Sequence, residues 1–282
     1  MALRVLKFWC ASIRMIVRVA LLPVAAFALS TQAFADKGVT ELSNTLVQHF
    51  VQSYFRVDPR TAATSDYPIV KWPHEISISL LHPELLPKGA DIYAKAVVAA
   101  LRSSGFNIEL NAAESDQANV SIIVFDATDG FSQSDLAILT RRMSGNTAGL
   151  KYFVSQFDSR STCLMGGDFS KPWQLKSSFI GINANMPGAV IKHCLVSMIA
   201  GIVGFQGKVD KGVVRHSLFS SDTSSIDVSA WDRLAFQMLA DPRLQAGMRY
   251  NGSTLSILHE IAETLIATWP DPEGLEEQMQ AH

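Results

Sequence analysis

From Ala189 to Val203 almost every residue is apolar: Val190, Ile191, Leu195, Val196, Met198, Ile199, Ile202 and Val203 leave no polar stripe, and Gly204 follows. Pro187-Gly188 marks a turn before the run. A helix that is apolar nearly all round is stable only when other elements cover it on every side. The rest of the fold must therefore supply that cover, and this helix must be central and buried.

The remaining segments supply the cover. Ile76, Ile78 and Leu80 alternate with Ser77 and Ser79, the period of a half-buried strand. From Ala90 to Arg102, Ile92, Ala96, Val97, Ala100 and Leu101 fall on one helical face, and Gly105 stops that helix. Strands are expected over Phe106 to Leu110, Ala118 to Phe125, Leu150 to Phe157 and Ser178 to Ile182, with a helix from Ser132 to Met143. Helices over Ala230 to Leu239 and Leu255 to Ala267 close the chain, separated by a turn at Asp241-Pro242-Arg243. Val39 to Phe55 carries Leu42, Leu46, Phe50 and Val51 near helical spacing and is expected to wrap the surface of the main domain. The fold class is α+β: a small sheet, one long buried helix across it and a helical C-terminal part. The domain reading is 36–73 for an N-terminal helix and linker, and 74–282 for the main domain.

The first 35 residues read as something else. Arg4, Lys7, Arg14 and Arg18 precede an apolar run from Val19 to Leu29, and Ala33-Phe34-Ala35 ends it with no acid before Asp36. Positive start, short apolar run and Ala-x-Ala end form a cleavable signal peptide, cut after Ala35. The run is too short for a membrane anchor, which needs roughly 20 apolar residues. Cys10 lies before the run, badly placed for a lipidated terminus. The mature chain is then expected in the periplasm or secreted, with no transmembrane anchor.

Cleavage leaves Cys163 and Cys194 as the two cysteines. An even count in an oxidising compartment favours a disulfide between them, against the other possibility of two buried free thiols. It also removes four of the 24 basic side chains against 26 acidic ones, so the mature net charge is −6. With no basic block, a nucleic acid partner is excluded.

The order of strand, helix, strands and a buried helix closing on glycine suggests zinc peptidases. There, two His at i and i+4 share a helical face, a Glu follows the first, and a Gly lies three residues after the second. Setting that Gly on Gly204 puts the three functional positions on Ser197, Met198 and Gly201. Serine is a poor zinc ligand, methionine cannot take a proton from water, and glycine has no side chain. A zincin-like fold here would carry a degenerate active-site helix and no metal.

The second half of the chain resembles a known family. The residues that carry the likeness are Cys194 to Gly204, Ser217-Leu218-Phe219, Trp231-Asp232-Arg233-Leu234 and Asp241-Pro242-Arg243-Leu244 through Gly247-Met248. They are similar to the domain-of-unknown-function family 2927 of proteobacterial envelope proteins, over residues 74 to 266. The resemblance implies an extracytoplasmic zincin-like domain of unknown activity. The family's paired Glu correspond to Ser197 and Met198 and its Gln to Gly201, so chemistry on that helix is not expected in this chain.

Other groups of residues qualify as candidates by type alone. His259 and Glu263 share a helical face but lack a third ligand. His193 beside Cys194 could form a catalytic pair only with a free thiol. His74 with Glu75, and His82, sit at the two ends of the first strand and could touch a ligand in a cleft. His216, Ser217 and Asp222 group as a hydrolase would, yet no Gly-x-Ser-x-Gly elbow surrounds a serine. Gly166-Gly167 is too short for a phosphate loop, and Asn251-Gly252-Ser253 is a turn. The functional expectation is an exported non-catalytic domain, a pseudoenzyme without cofactor or metal, binding a peptide or another envelope component. The alternatives are an envelope hydrolase with unrecognised catalytic residues and a purely structural or assembly domain.

Overall fold

The computed structural model describes residues 38–57, 67–111, 118–126, 128, 130–143, 146–156, 163–205, 214, 217–219 and 227–279. The signal-like segment, and with it Cys10, His216 and Asp222, lies outside the described residues. Helix α1 spans 38–50 and widens into one π turn at Val51–Phe55. Strand β1 (Ile76–Leu81), helix α2 (Ala90–Ser103) and strand β2 (Ile108–Asn111) follow, then β3 (Val120–Phe125). Helices α3 (Gln133–Arg142) and α4 (Thr147–Gln156) lead to the hairpin of β4 (Cys163–Lys171) and β5 (Gln174–Asn183). The apolar run forms α5 (Gly188–Ile202), and α6 (Ala230–Ala240), α7 (Gly252–Ala267) and α8 (Pro272–Glu277) complete the chain.

The five strands form one sheet in the order β2-β1-β3-β5-β4. Its first four strands run parallel, and β4 returns antiparallel along β5 as an edge. All six residues of β3 are buried, as expected of a central strand covered on both faces. Ile76, Ile78, Ile122, Val124, Ile180 and Ile182 join the main core with α2 and α5. On the opposite face Leu81, Ile123 and Phe179 pack with Ile138 and Leu139 of α3 and Phe153 of α4. The mixed α+β class expected from the sequence is what the chain adopts, and α5 lies in the core with Leu195, Val196 and Ile199 fully buried.

Two local expectations are corrected. Where a strand is expected over Leu150 to Phe157, residues 150–156 belong to helix α4, and Phe157 lies outside the described residues. Leu150, Phe153 and Val154 fall at i, i+3 and i+4, and the Asn146 side chain caps the first turn by accepting from the Gly149 N–H at 2.9 Å. Nor does α1 wrap the surface. Leu46, Phe50, Val51 and Tyr54 are fully buried, Phe50 stacks on Tyr54 at 5.4 Å, and Tyr54 meets Phe205 edge-on at 5.2 Å. The Tyr54 hydroxyl accepts from the backbone N–H of Val70 at 2.8 Å, so burial of this ring costs no orphaned polar atom.

Candidate functional site

Helix α5 turns one face towards the edge strand. Cys194, Ser197 and Gly201 lie at i, i+3 and i+7 and share that face. Cys194 is joined to Cys163 at the start of β4 by the expected disulfide, with Cα atoms 6.1 Å apart. Two turns on, a Cβ placed at Gly201 would lie 3.3 Å from Met165 Cε on β4. Of the three positions aligned with a zinc-peptidase helix, Ser197 and Gly201 therefore sit on the face beside the sheet edge. Ser197 is half-buried and spends its hydroxyl on the Cys194 carbonyl at 3.2 Å. Met198 packs against the main core, and Gly201 is buried.

Between this face and the edge runs a groove of about 170 Å³. Gly201 and Ile202 of α5, Met165, Gly167 and Phe169 of β4, and Tyr67 line it. Gly167 leaves room that Leu175 partly takes, since a Cβ there would lie 2.9 Å from Leu175 Cδ2. Gly166 points the other way, where any side chain would run into the Phe179 ring. The glycine pair, excluded as a phosphate loop, thus lets β4 lie flat between two packed layers. Residue spacing gave no sign of Met165 or Tyr67, because the groove is made by contacts distant along the chain.

His74 and His82 are not brought together, for β1 lies between them. His74 is exposed and lines a separate cavity with Lys71, Trp72 and Glu75. Burial lowers the Lys71 amine to about 8 against a partly compensating Asp241 charge, and the amine donates to the Leu239 carbonyl at the end of α6. His82 has a left-handed backbone, φ 56, and its Nε2 lies 2.9 Å from Oδ1 of Asp135. That hydrogen bond is the main force raising the imidazole above its ordinary value, opposed by burial and aided by the charges of Asp135 and Glu84. The other oxygen of Asp135 accepts from Ser132, whose hydroxyl in turn caps α3. Ser132 therefore faces the carboxylate and not the imidazole. The group is a helix cap with a histidine attached, and no serine is set up as a nucleophile by that His.

The same arrangement recurs in the core. Asp232 is the third residue of α6 and closes a capping box with Ser229. Its Oδ1 also accepts from Ser217 at 2.7 Å and lies 3.2 Å from His49 Nε2, while Oδ2 accepts from the Leu218 N–H at 3.0 Å. Ser217 is 1% exposed, so its hydroxyl cannot reach a substrate. Two of the sequence stretches that carried the family resemblance, at Ser217 and Asp232, thus meet in one buried hub. A third, Asp241 to Met248, clamps the segment before β1: Gly247 N–H donates to the Ile69 carbonyl at 2.8 Å, and Ile69 N–H to the Met248 carbonyl at 2.7 Å. Gly247 has φ 88, the conformation that glycine adopts without strain.

His259 is half-buried and Glu263 exposed on α7, and His193 is half-buried on α5. Among the described residues, no three His, Cys, Asp or Glu side chains gather where they could hold a metal ion. No described helix is long and apolar enough to cross a membrane.

These features define an α+β domain whose long buried helix faces a sheet edge across a disulfide. The chain belongs to the family described as protein of unknown function (DUF2927), whose model matches residues 43–255. That match begins inside α1, in agreement with the burial of this helix in the common core. No curated protein and no solved structure matches the chain.

Proposed function

We propose that this chain is exported and serves as a non-catalytic, zincin-like binding domain that takes an extended peptide segment of an envelope component along β4. The observation that carries the reading is the edge position of β4, with no further strand beside it among the described residues, next to the α5 face of Ser197 and Gly201. An edge strand presents unpaired N–H and C=O groups, and proteins usually blunt such an edge with charge or proline. Cys163 to Gly167 contains neither, while Asp168, Lys171 and Pro172 follow only at the hairpin end. Strand addition to an exposed edge, with a pocket for alternate side chains, is a general mode of peptide recognition. The element order and the helix face aimed at the edge support the zincin-like reading. The residues on that face support the absence of catalysis. The disulfide and the signal-like N-terminus support export.

The test is hydrogen exchange on the purified oxidised chain, with and without a pool of extended decapeptides, together with elemental analysis. Protection confined to Cys163–Gly167, abolished by Gly201→Leu, is the expected result. Peptide cleavage, or one zinc per chain, would overturn the proposal.

A further inference from the structure

Three helices end at one place. Ala240 is the last residue of α6, Val203 caps the end of α5, and Gly105 lies just past α2. All three line the cavity of about 450 Å³ that also holds His74. The convergence is close: a Cβ on Gly105 would lie 3.4 Å from Ala240 Cβ. The carboxyl end of a helix carries roughly half a negative charge, so three converging ends add their dipoles on one wall even where turn N–H groups satisfy the last carbonyls. The fold already answers it with donors. Lys71 donates its amine to the Leu239 carbonyl of α6, and Trp72 Nε1 donates to the Ile202 carbonyl of α5 at 2.8 Å. Lys71 is further matched by the charge of Asp241. Beyond these, Glu75, Trp72 and Phe106 line the cavity.

We propose that this cavity is a binding site for an organic cation, an alkylammonium or guanidinium group. Carboxylate, aromatic rings and helix carboxyl ends each attract a positive charge, and together they suit a cation too large and weakly hydrated to be a metal ion. The site is independent of the groove beside β4, and failure of either leaves the other standing. It places His74 and Glu75 at the rim, where they are exposed to an arriving ligand.

The test is a titration of the purified oxidised chain, followed by the amide shift of Gly105 and the indole shift of Trp72. The probes are arginine amide, spermidine and an arginine-containing decapeptide, with sodium acetate and sodium phosphate as anionic counterparts. Saturable shifts with the cations are expected, about two- to fivefold weaker in Glu75→Gln, as a surface charge pair of 0.4–1 kcal/mol implies. Tighter binding of the decapeptide than of the small cations identifies a protein side chain as the source, and equal binding a free small molecule. Saturation by acetate or phosphate, or no saturation by any cation while Glu75→Gln folds normally, overturns the assignment.

Discussion

Nε2 of His49 lies 3.2 Å from Oδ1 of Asp232, and neither side chain has any exposure to solvent. The two residues are 183 positions apart, so this contact ties the first helix to the C-terminal half. Asp232 also accepts from Ser217, Leu218 and Ser229. A buried carboxylate is tolerable only with such a full set of donors.

Removing the carboxylate strands all of those donors at once. Asp232→Ala is expected to destabilise the fold by about 3–5 kcal/mol, the cost of breaking a buried pair. At about 2–4 °C per kcal/mol for a chain of this size, the melting temperature falls by roughly 6–20 °C. His49→Leu fills its space with apolar atoms and leaves Asp232 its other donors, so its loss is smaller. Thermal unfolding of both variants checks the order, and an equal loss would remove the hub from its central role.

Gly204 ends α5 with φ 110, and a Cβ there would sit 2.5 Å from the Tyr54 hydroxyl oxygen. Gly204→Ala therefore adds left-handed strain and a clash with a buried ring, and a loss of about 2–4 kcal/mol is expected. Gly201→Ala, one turn earlier, is a different case. It gains up to about 1 kcal/mol of helix propensity and meets only the flexible end of Met165 at 3.3 Å. Denaturant midpoints should thus separate the two glycines, with Gly204→Ala far lower and Gly201→Ala within about 1 kcal/mol of the parent.

The disulfide closes a loop of 31 residues between β4 and α5. On the chain-entropy model such a loop contributes about 3–4 kcal/mol. Cys163→Ser combined with Cys194→Ser should lower the melting temperature by roughly 6–16 °C. It should also loosen the groove, read as faster amide exchange at Met165 and Gly167. Unchanged exchange there would show that packing alone holds β4 against the helix.

Much of this was legible where one element carries its own signal. α5 is apolar on all sides, and Ser132 and Ser229 each stand three residues before an aspartate, which is why α3 and α6 start where they do. The cysteine pair followed from count and compartment. β4 was not legible, because Gly166 and Gly167 interrupt its pattern and its pairing with β5 shifts register near Asp168 and Phe169. α4 reads as a strand from sequence alone because a short apolar run around Leu150 fits strand or helix equally without the cap at Asn146. The amphipathic period of α1 showed a helix but not how deep it lies. The groove, the His49–Asp232 contact and the meeting of three helix ends are all tertiary, and no local spacing encodes them.

His82 gives the chain a pH-dependent contact at the carboxyl end of β1. Its hydrogen bond to Asp135 holds the folded imidazole above the ordinary value of 6.5. A group raised on folding stabilises the fold fully below its unfolded value, and that stabilisation is lost as pH rises through the folded value. The contact between His82 and the first turn of α3 should therefore be strongest below pH 6.5 and weaken above it, and not the reverse. The side chain is 38% exposed, so solvent screens the effect and the change in global stability is small. The sensitive measurement is the imidazole titration by NMR. A midpoint above 6.5, returning towards that value in Asp135→Asn, is expected. The asparagine keeps an oxygen for the Ser132 N–H, so the cap on α3 survives and a loss of the shift reports the hydrogen bond and charge that Asp135 gave His82. A parent midpoint at or below 6.5 would show that burial outweighs the Asp135 hydrogen bond, and that the contact fades at acid pH.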